Sequence, residues 1–251
     1  MTHKFADVFR WLGLFAHPDD ETSASAGTMV KWIKNGNLAY VVTATGGELG
    51  TLGTGGLVVE RSKLARVRES ELKENLSMYG CNPPFLLGYR DQELANEDLE
   101  ILSNKILDIM HLVRPDVIVT FGPSGISNHS DHIAIHKASQ KAYIEYRNSF
   151  AEKEYPLLIY PSIPANVAKQ YELQLSPDEK RIDIVVDIKS SIDTKIQGLR
   201  NYKSQEDAQE FAKRLEQTKT GPHGTDELFS VSPDSPKDWG SYPVIEYLRI
   251  L

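Results

Sequence analysis

Two short segments of this chain concentrate residue types that bind metals and move protons. The first is Ala16-His17-Pro18-Asp19-Asp20-Glu21 and the second, about 110 residues on, is His129-Ser130-Asp131-His132. Together they hold three of the seven histidines and four carboxylates. A catalytic zinc takes three protein ligands and keeps a further position for water. One His and one Asp from the first segment with one His from the second supply such a set. Neighbouring aspartates point in different directions, so one of Asp19 and Asp20 can bind a metal while the other faces the water. Zinc brings the pKa of that water to about 7, and a nearby carboxylate can then take its proton. His129, three residues before His132, is spaced to stand across a polarised carbonyl, stabilising an oxyanion or protonating a leaving amine. The same carboxylates also suit helix starts, where they cap backbone N–H groups and complement the dipole. What favours chemistry is that both segments combine His with Asp and that both are expected on one edge of one sheet.

That expectation comes from the surrounding pattern. Apolar, β-branched runs at Trp11 to Phe15, Leu38 to Thr45, Phe85 to Leu87, Asp116 to Phe121, Leu157 to Tyr160 and Ile182 to Asp187 read as strands. Helical periodicity covers Ser25 to Asn35, Glu60 to Tyr79, Asp98 to Val113, Ser130 to Tyr146, Ile192 to Asn201 and Glu206 to Thr218. Thr220 to Tyr242 reads as loop, with His223 a surface residue, and Val244 to Leu251 as extended chain. Alternating strands and helices predict an α/β, Rossmann-like sandwich with a mostly parallel sheet flanked by helices. In such sheets ligands sit outside the carboxyl ends of the strands where strand order reverses. With the order 3-2-1-4, that point lies just after Phe15 and Phe121, where the two segments stand.

Bulk properties bound the alternatives. The 251 residues are 40% hydrophobic and 25% charged, which excludes a disordered or collagen-like chain. No apolar run reaches the roughly 18 residues of a membrane span, and the segment Met1 to Arg10 has no apolar signal-peptide core. Cys81 is the single cysteine, so no intrachain disulfide is expected and a cytoplasmic location is. A net charge of −7 disfavours a nucleic-acid partner. The glycine-rich stretch Gly46 to Gly56 lacks the order of a dinucleotide or phosphate loop and reads instead as a mobile loop over the pocket, with Glu48 near it. His132 and His136 share a helical face, but Ile133 stands where a metalloprotease motif has Glu, so His136 reads as packing. The segment Leu157 to Val167 fits either a cover for a second copy in a homo-oligomer or a crossing of the sheet.

AHPDDE after an apolar strand, with HSDH far downstream, resembles the LmbE-like (PIG-L) family of zinc-dependent deacetylases acting on N-acetylglucosamine-type substrates. ATGGELG after the second strand, Arg66 through Arg68-Glu69, Leu87-Gly88-Tyr89-Arg90-Asp91 and Lys203-Ser204-Gln205 extend the likeness over about residues 10–205. The chain then reads as a single 1–251 domain with a C-terminal elaboration over about 206–251. The resemblance implies His17, Asp20 and His132 as ligands of one Zn²⁺ per chain, with Fe²⁺ or another divalent ion an alternative. It implies Asp19 as general base, His129 as its electrophilic or acid partner, and Asp131 orienting a histidine. Arg68, Asp91 and Glu48 would contact the amino-sugar substrate. Where some members carry a tyrosine before the second motif, this chain has Ser127-Asn128, and Tyr202-Lys203 stand where some carry a His. The expected activity is hydrolysis of an N-acetyl amide on an amino sugar or glycoside. The alternatives are a thiol-conjugate amidase on the same site, a metal-dependent phosphoesterase, and a zinc- or sugar-binding protein without turnover.

Overall fold

A computed structural model describes residues 8–150, 155–221 and 224–251. Seven strands form one sheet in the order β3-β2-β1-β4-β5-β7-β6. They are β1 (Arg10–Phe15), β2 (Leu38–Thr45), β3 (Phe85–Tyr89), β4 (Val117–Thr120), β5 (Leu157–Pro161), β6 (Ile184–Asp187) and β7 (Asp226–Val231). The first five are parallel, while β7 runs antiparallel to both β5 and β6. Strand order therefore reverses between β1 and β4, as the sequence predicts, and β1 and β4 are buried on both faces in the manner of parallel strands covered by helices.

The main flanking helices are α1 (Asp20–Lys34), α2 (Leu64–Tyr79), α3 (Leu99–Val113) and, after a single turn α4 (Gly125–Asn128), the long α5 (Ser130–Arg147). Short α6 (Ala165–Gln170) and α7 (Pro177–Lys180) precede α8 (Ile192–Asn201), α9 (Glu206–Thr218) and α10 (Pro243–Ile250). Local chemistry sets their ends. Asp98 caps α3 by accepting from the N–H groups of Glu100 and Ile101, and Gly80 ends α2 at φ 82°, where a side chain would be strained.

Three expectations need correction. Helix α1 begins at Asp20, so the first motif is itself the helix start, although its polar residues mask the helical pattern before Ser25. Within the stretch read as loop, Asp226–Val231 is strand β7, its short run hidden between Gly, Pro and Ser. The stretch read as extended is α10: Pro243 opens it, and Val244, Ile245, Tyr247 and Leu248 are buried at helical spacing. Tyr247 packs against Phe9 and Trp32, with ring centroids 5.6 and 5.3 Å away. Within the segment Leu157 to Val167, Leu157–Pro161 is the fully buried β5 and α6 begins at Ala165. His223 lies outside the described residues.

Candidate active site

The first motif leaves β1 and turns at once into α1. Asp19 occupies the N-cap position at φ 99°, a left-handed backbone that costs a non-glycine residue energy. Buried Glu21 holds this turn: one carboxylate oxygen accepts from the Asp19 N–H at 3.1 Å and the other from the Tyr202 hydroxyl at 2.7 Å. Asp20 turns back, its Oδ2 accepting from the backbone N–H groups of Ala16 and His17 at 3.1 and 2.8 Å. The second motif opens α5. His129 is its N-cap, with Nδ1 accepting from the Asp131 N–H at 3.2 Å, and His132 lies one turn in.

These two openings bring His17, Asp20 and His132 together. His17 Nδ1 is 3.2 Å from His132 Nε2, His132 Nε2 is 3.3 Å from Asp20 Oδ1, and His17 Nδ1 is 3.6 Å from Asp20 Oδ2. Donors at about 2.0–2.1 Å from a tetrahedral zinc stand about 3.3 Å from one another. The set thus fits a divalent cation in chemistry and in spacing. Outer contacts orient both rings. His132 Nδ1 lies 3.0 Å from the Gly125 carbonyl, and His17 Nε2 lies 3.3 Å from Asp131 Oδ2 and 3.2 Å from Asp91 Oδ1. Carboxylate or carbonyl partners on the far nitrogen are the usual way a metal-binding imidazole is aimed. The histidine that Asp131 contacts through its side chain is therefore His17, and Asp131 is itself fixed by the N–H groups of Gln92 and Leu94.

The electrostatics match a site built for positive charge. Burial alone favours a neutral His17, yet Asp131, Asp20 and Asp91 hold its pKa well above the ordinary value. Burial works against the Asp20 carboxylate too, and the neighbouring His132 and His17 still hold it well below the usual range. Burial pushes Asp19 well above that range, and the Arg68 guanidinium pulls against it from 2.7 Å. Burial, with His17 and His132 nearby, lowers the pKa of His129.

A cavity of about 220 Å³ gathers His17, Asp19, Asp20, Arg68, Asp91, His129 and His132 along its lining. Asp131 is buried behind His17. Glu48 does not line the cavity; its carboxylate accepts from the Asp91 N–H at 3.1 Å and so braces the loop that presents Asp91. Arg68, expected on the substrate, spends its terminal nitrogens on Asp19, the Pro18 carbonyl and the Gly47 carbonyl. Gly47 allows this close approach: it sits at φ +61°, and a Cβ there would stand 2.2 Å from the guanidinium. The glycine-rich stretch, expected to be mobile, is tied to the chain near Gln205 through Gly53 and Thr54 N–H bonds to the Ser204 and Lys203 carbonyls. His136 packs as expected, its Nδ1 2.9 Å from the Phe121 carbonyl.

Sequence reasoning missed Gln92 and Asp207 in the lining, and Glu179 outside it, while Gln205, also on the lining, stood only within the Lys203-Ser204-Gln205 likeness. Glu179, buried on α7, accepts from the Ser124 and Ile126 N–H groups at 3.0 and 2.9 Å and from the Ser124 hydroxyl. It thereby holds the α4 turn, strained at Ile126 (φ 56°), whose Gly125 carbonyl aims His132. Its only sequence signal was the capping-box spacing of Ser176 and Glu179.

Known proteins resemble this chain in sequence and in fold. Residues 12–143 match the model of the family described as PIG-L, GlcNAc-PI de-N-acetylase. The chain belongs to this family. The PIG-L match takes in both motifs and all three candidate ligands. A 1D-myo-inositol 2-acetamido-2-deoxy-alpha-D-glucopyranoside deacetylase from Mycobacterium sp. (strain JLS) is 30% identical, over 79% of this chain and 74% of that protein. A mycothiol S-conjugate amidase from Streptomyces coelicolor is 31% identical, over 61% of this chain and 60% of that protein. Among solved structures, N,N'-diacetylchitobiose deacetylase from Pyrococcus horikoshii has a TM-score of 0.65 at 22% identity, covering 92% of this chain and 86% of that one. A 4-carboxy-2-hydroxymuconate hydratase from Pseudomonas putida has a TM-score of 0.67 at 18% identity, covering 89% and 96%. These two likenesses are of fold, and the fold alone does not choose the chemistry. Among the described residues no helix is long and apolar enough to cross a membrane.

Proposed function

We propose that this PIG-L chain is a zinc-dependent hydrolase that removes the N-acetyl group from an N-acetylglucosamine-type amino sugar or glycoside. The observation that carries this is the meeting, in one cavity of about 220 Å³, of the His17–Asp20–His132 donor set with an Asp19–Arg68 pair and His129. A divalent cation in the donor set supplies a Lewis acid for the acyl carbonyl and acidifies a water. His17, Asp20 and His132 would hold it. Asp19 takes the proton of the water that attacks the acyl carbon, and Arg68 holds the Asp19 carboxylate at the cavity wall. His129, whose ring stands 4.8 Å from that of His17, donates its ring N–H to the developing oxyanion, and the proton that Asp19 took from the water passes to the departing amine. The C–N bond breaks, releasing acetate and a free amine. Asp91, Gln92 and Gln205 are hydrogen-bonding partners for sugar hydroxyls. The single cysteine suits a cytoplasmic enzyme.

Amine release from N-acetylglucosaminides, assayed with and without chelator, tests this reading. Release that stops on chelation and returns with Zn²⁺ supports it, and no release from zinc-loaded protein contradicts it. The Streptomyces coelicolor amidase among the relatives favours one second reading, hydrolysis of a thiol-conjugate amide. Release of a mercapturate in place of acetate would select it.

A further inference from the structure

The donor set stands between two cavities. Beyond the 220 Å³ lobe, Asp19, Asp20, Ser127, His132 and Asp207 also border a second one of about 520 Å³. The lobes differ in chemistry. The smaller is lined by Arg68, Asp91, Gln92 and Gln205, suited to a hydroxylated ring. The larger has a wall of Phe121, Ile126, Pro161, Ile163, Leu173 and Leu228, with Asp207, Arg214 and Asp226 also on its lining. Its buried ion pair is closed on itself, Lys195 Nζ lying 2.6 Å from Glu227 Oε1 and donating also to the Ser23 carbonyl. Ser162 is different. It is 8% exposed, and its hydroxyl has no hydrogen-bond partner among the described residues. Other buried hydroxyls, among them those of Thr28, Ser139 and Ser230, share that lack, but Ser162 alone of these lines this lobe.

We propose that the larger lobe receives the acyl side of the scissile amide, so that this enzyme prefers N-acyl groups longer than acetyl, with a polar atom along the chain for Ser162. The inference rests on the amide-hydrolase reading above. A secondary amide is trans, placing its acyl chain and its amine substituent on opposite sides of the C–N bond. With the carbonyl carbon at the donor set and the sugar in the polar lobe, the acyl chain enters the apolar one. An acetyl methyl occupies about the volume of one water, on the order of 30 Å³, and would leave the lobe unfilled. Each added methylene buried there is worth roughly fourfold in binding.

The test uses zinc-loaded enzyme and two substrate series. One is glucosamine carrying acetyl to octanoyl groups; the other is N-acetylglucosamine as methyl to octyl glycosides. The proposal expects kcat/KM to rise about tenfold or more from acetyl to hexanoyl, with no such rise along the glycosides. Leu173→Trp and Ile163→Trp should each bring the ratio of hexanoyl to acetyl kcat/KM down toward one. Without any variant, hexanoate should inhibit more strongly than acetate. Acetyl cleaved as fast as hexanoyl, or the gain found in the glycoside series, overturns this inference and leaves the deacetylase reading standing. No amine released from any member overturns both.

Discussion

The two halves of the sheet carry different parts of the site. On one side, β1, β4 and the helices they feed deliver His17, Asp19, Asp20, His129 and His132 from two contiguous motifs. On the other, β5, β7 and the segments around them supply Ser162, Ile163, Leu173, Glu179 and Leu228 from scattered positions. The first region holds groups that must meet at bond-length tolerances, so each comes from a strand end or a helix start. The second holds apolar surface and backbone supports, for which many sequences serve. In the proposed reading, reaction chemistry is concentrated where strand order reverses, and specificity is dispersed beside it.

Four perturbations set these regions apart. Removing the metal with a chelator should abolish amine release, with recovery on adding Zn²⁺; activity that survives complete metal removal would break the assignment of the motif half to a metal site. Gly47→Ala comes next. It puts a side chain at φ +61° and against the Arg68 guanidinium, which should disturb the Asp19 pair and lower kcat by about tenfold while metal content is unchanged. Glu179→Gln acts from the other half. It replaces a carboxylate acceptor of several N–H and O–H donors, so a stability loss of about 1–3 kcal/mol is expected by denaturant titration. The smallest effect is its pH dependence. Burial disfavours the Glu179 carboxylate, but hydrogen bonds from Ser124 and Ser176 hold its pKa below the ordinary 4.5. A lowered folded pKa adds stability that is complete above the unfolded pKa and is lost as pH falls through the folded one. The stability gap between wild type and Glu179→Gln should therefore be flat above about pH 5 and shrink below it.

The same contrast explains what the sequence let one read. The strand order around β1 and β4 and the meeting of the two motifs follow from local patterns: apolar β-branched runs, then polar motifs at their carboxyl ends. Periodicity could not choose between Asp19 and Asp20, because the left-handed turn at Asp19 that parts them is a property of the fold. Family resemblance put Asp91 at the site, where it lines the cavity, and Glu48 too, which braces it from behind. Strand β7 escaped because six residues flanked by turn formers carry little periodic signal. Ser162 and Leu173 escaped for a deeper reason. Nothing about a serine or leucine in sequence shows that chain packing will leave it beside a cavity.

The proposed mechanism divides the labour between adjacent aspartates, Asp20 holding the metal and Asp19 moving the proton. Metal content and amine release, measured on the same preparations of Asp19→Ala and Asp20→Ala, test it most directly. Asp19→Ala should keep about one metal per chain yet lose roughly 10²–10⁴-fold in turnover, while Asp20→Ala should lose metal and turnover together. Wild-type turnover in Asp19→Ala, or full metal content in Asp20→Ala, would contradict it.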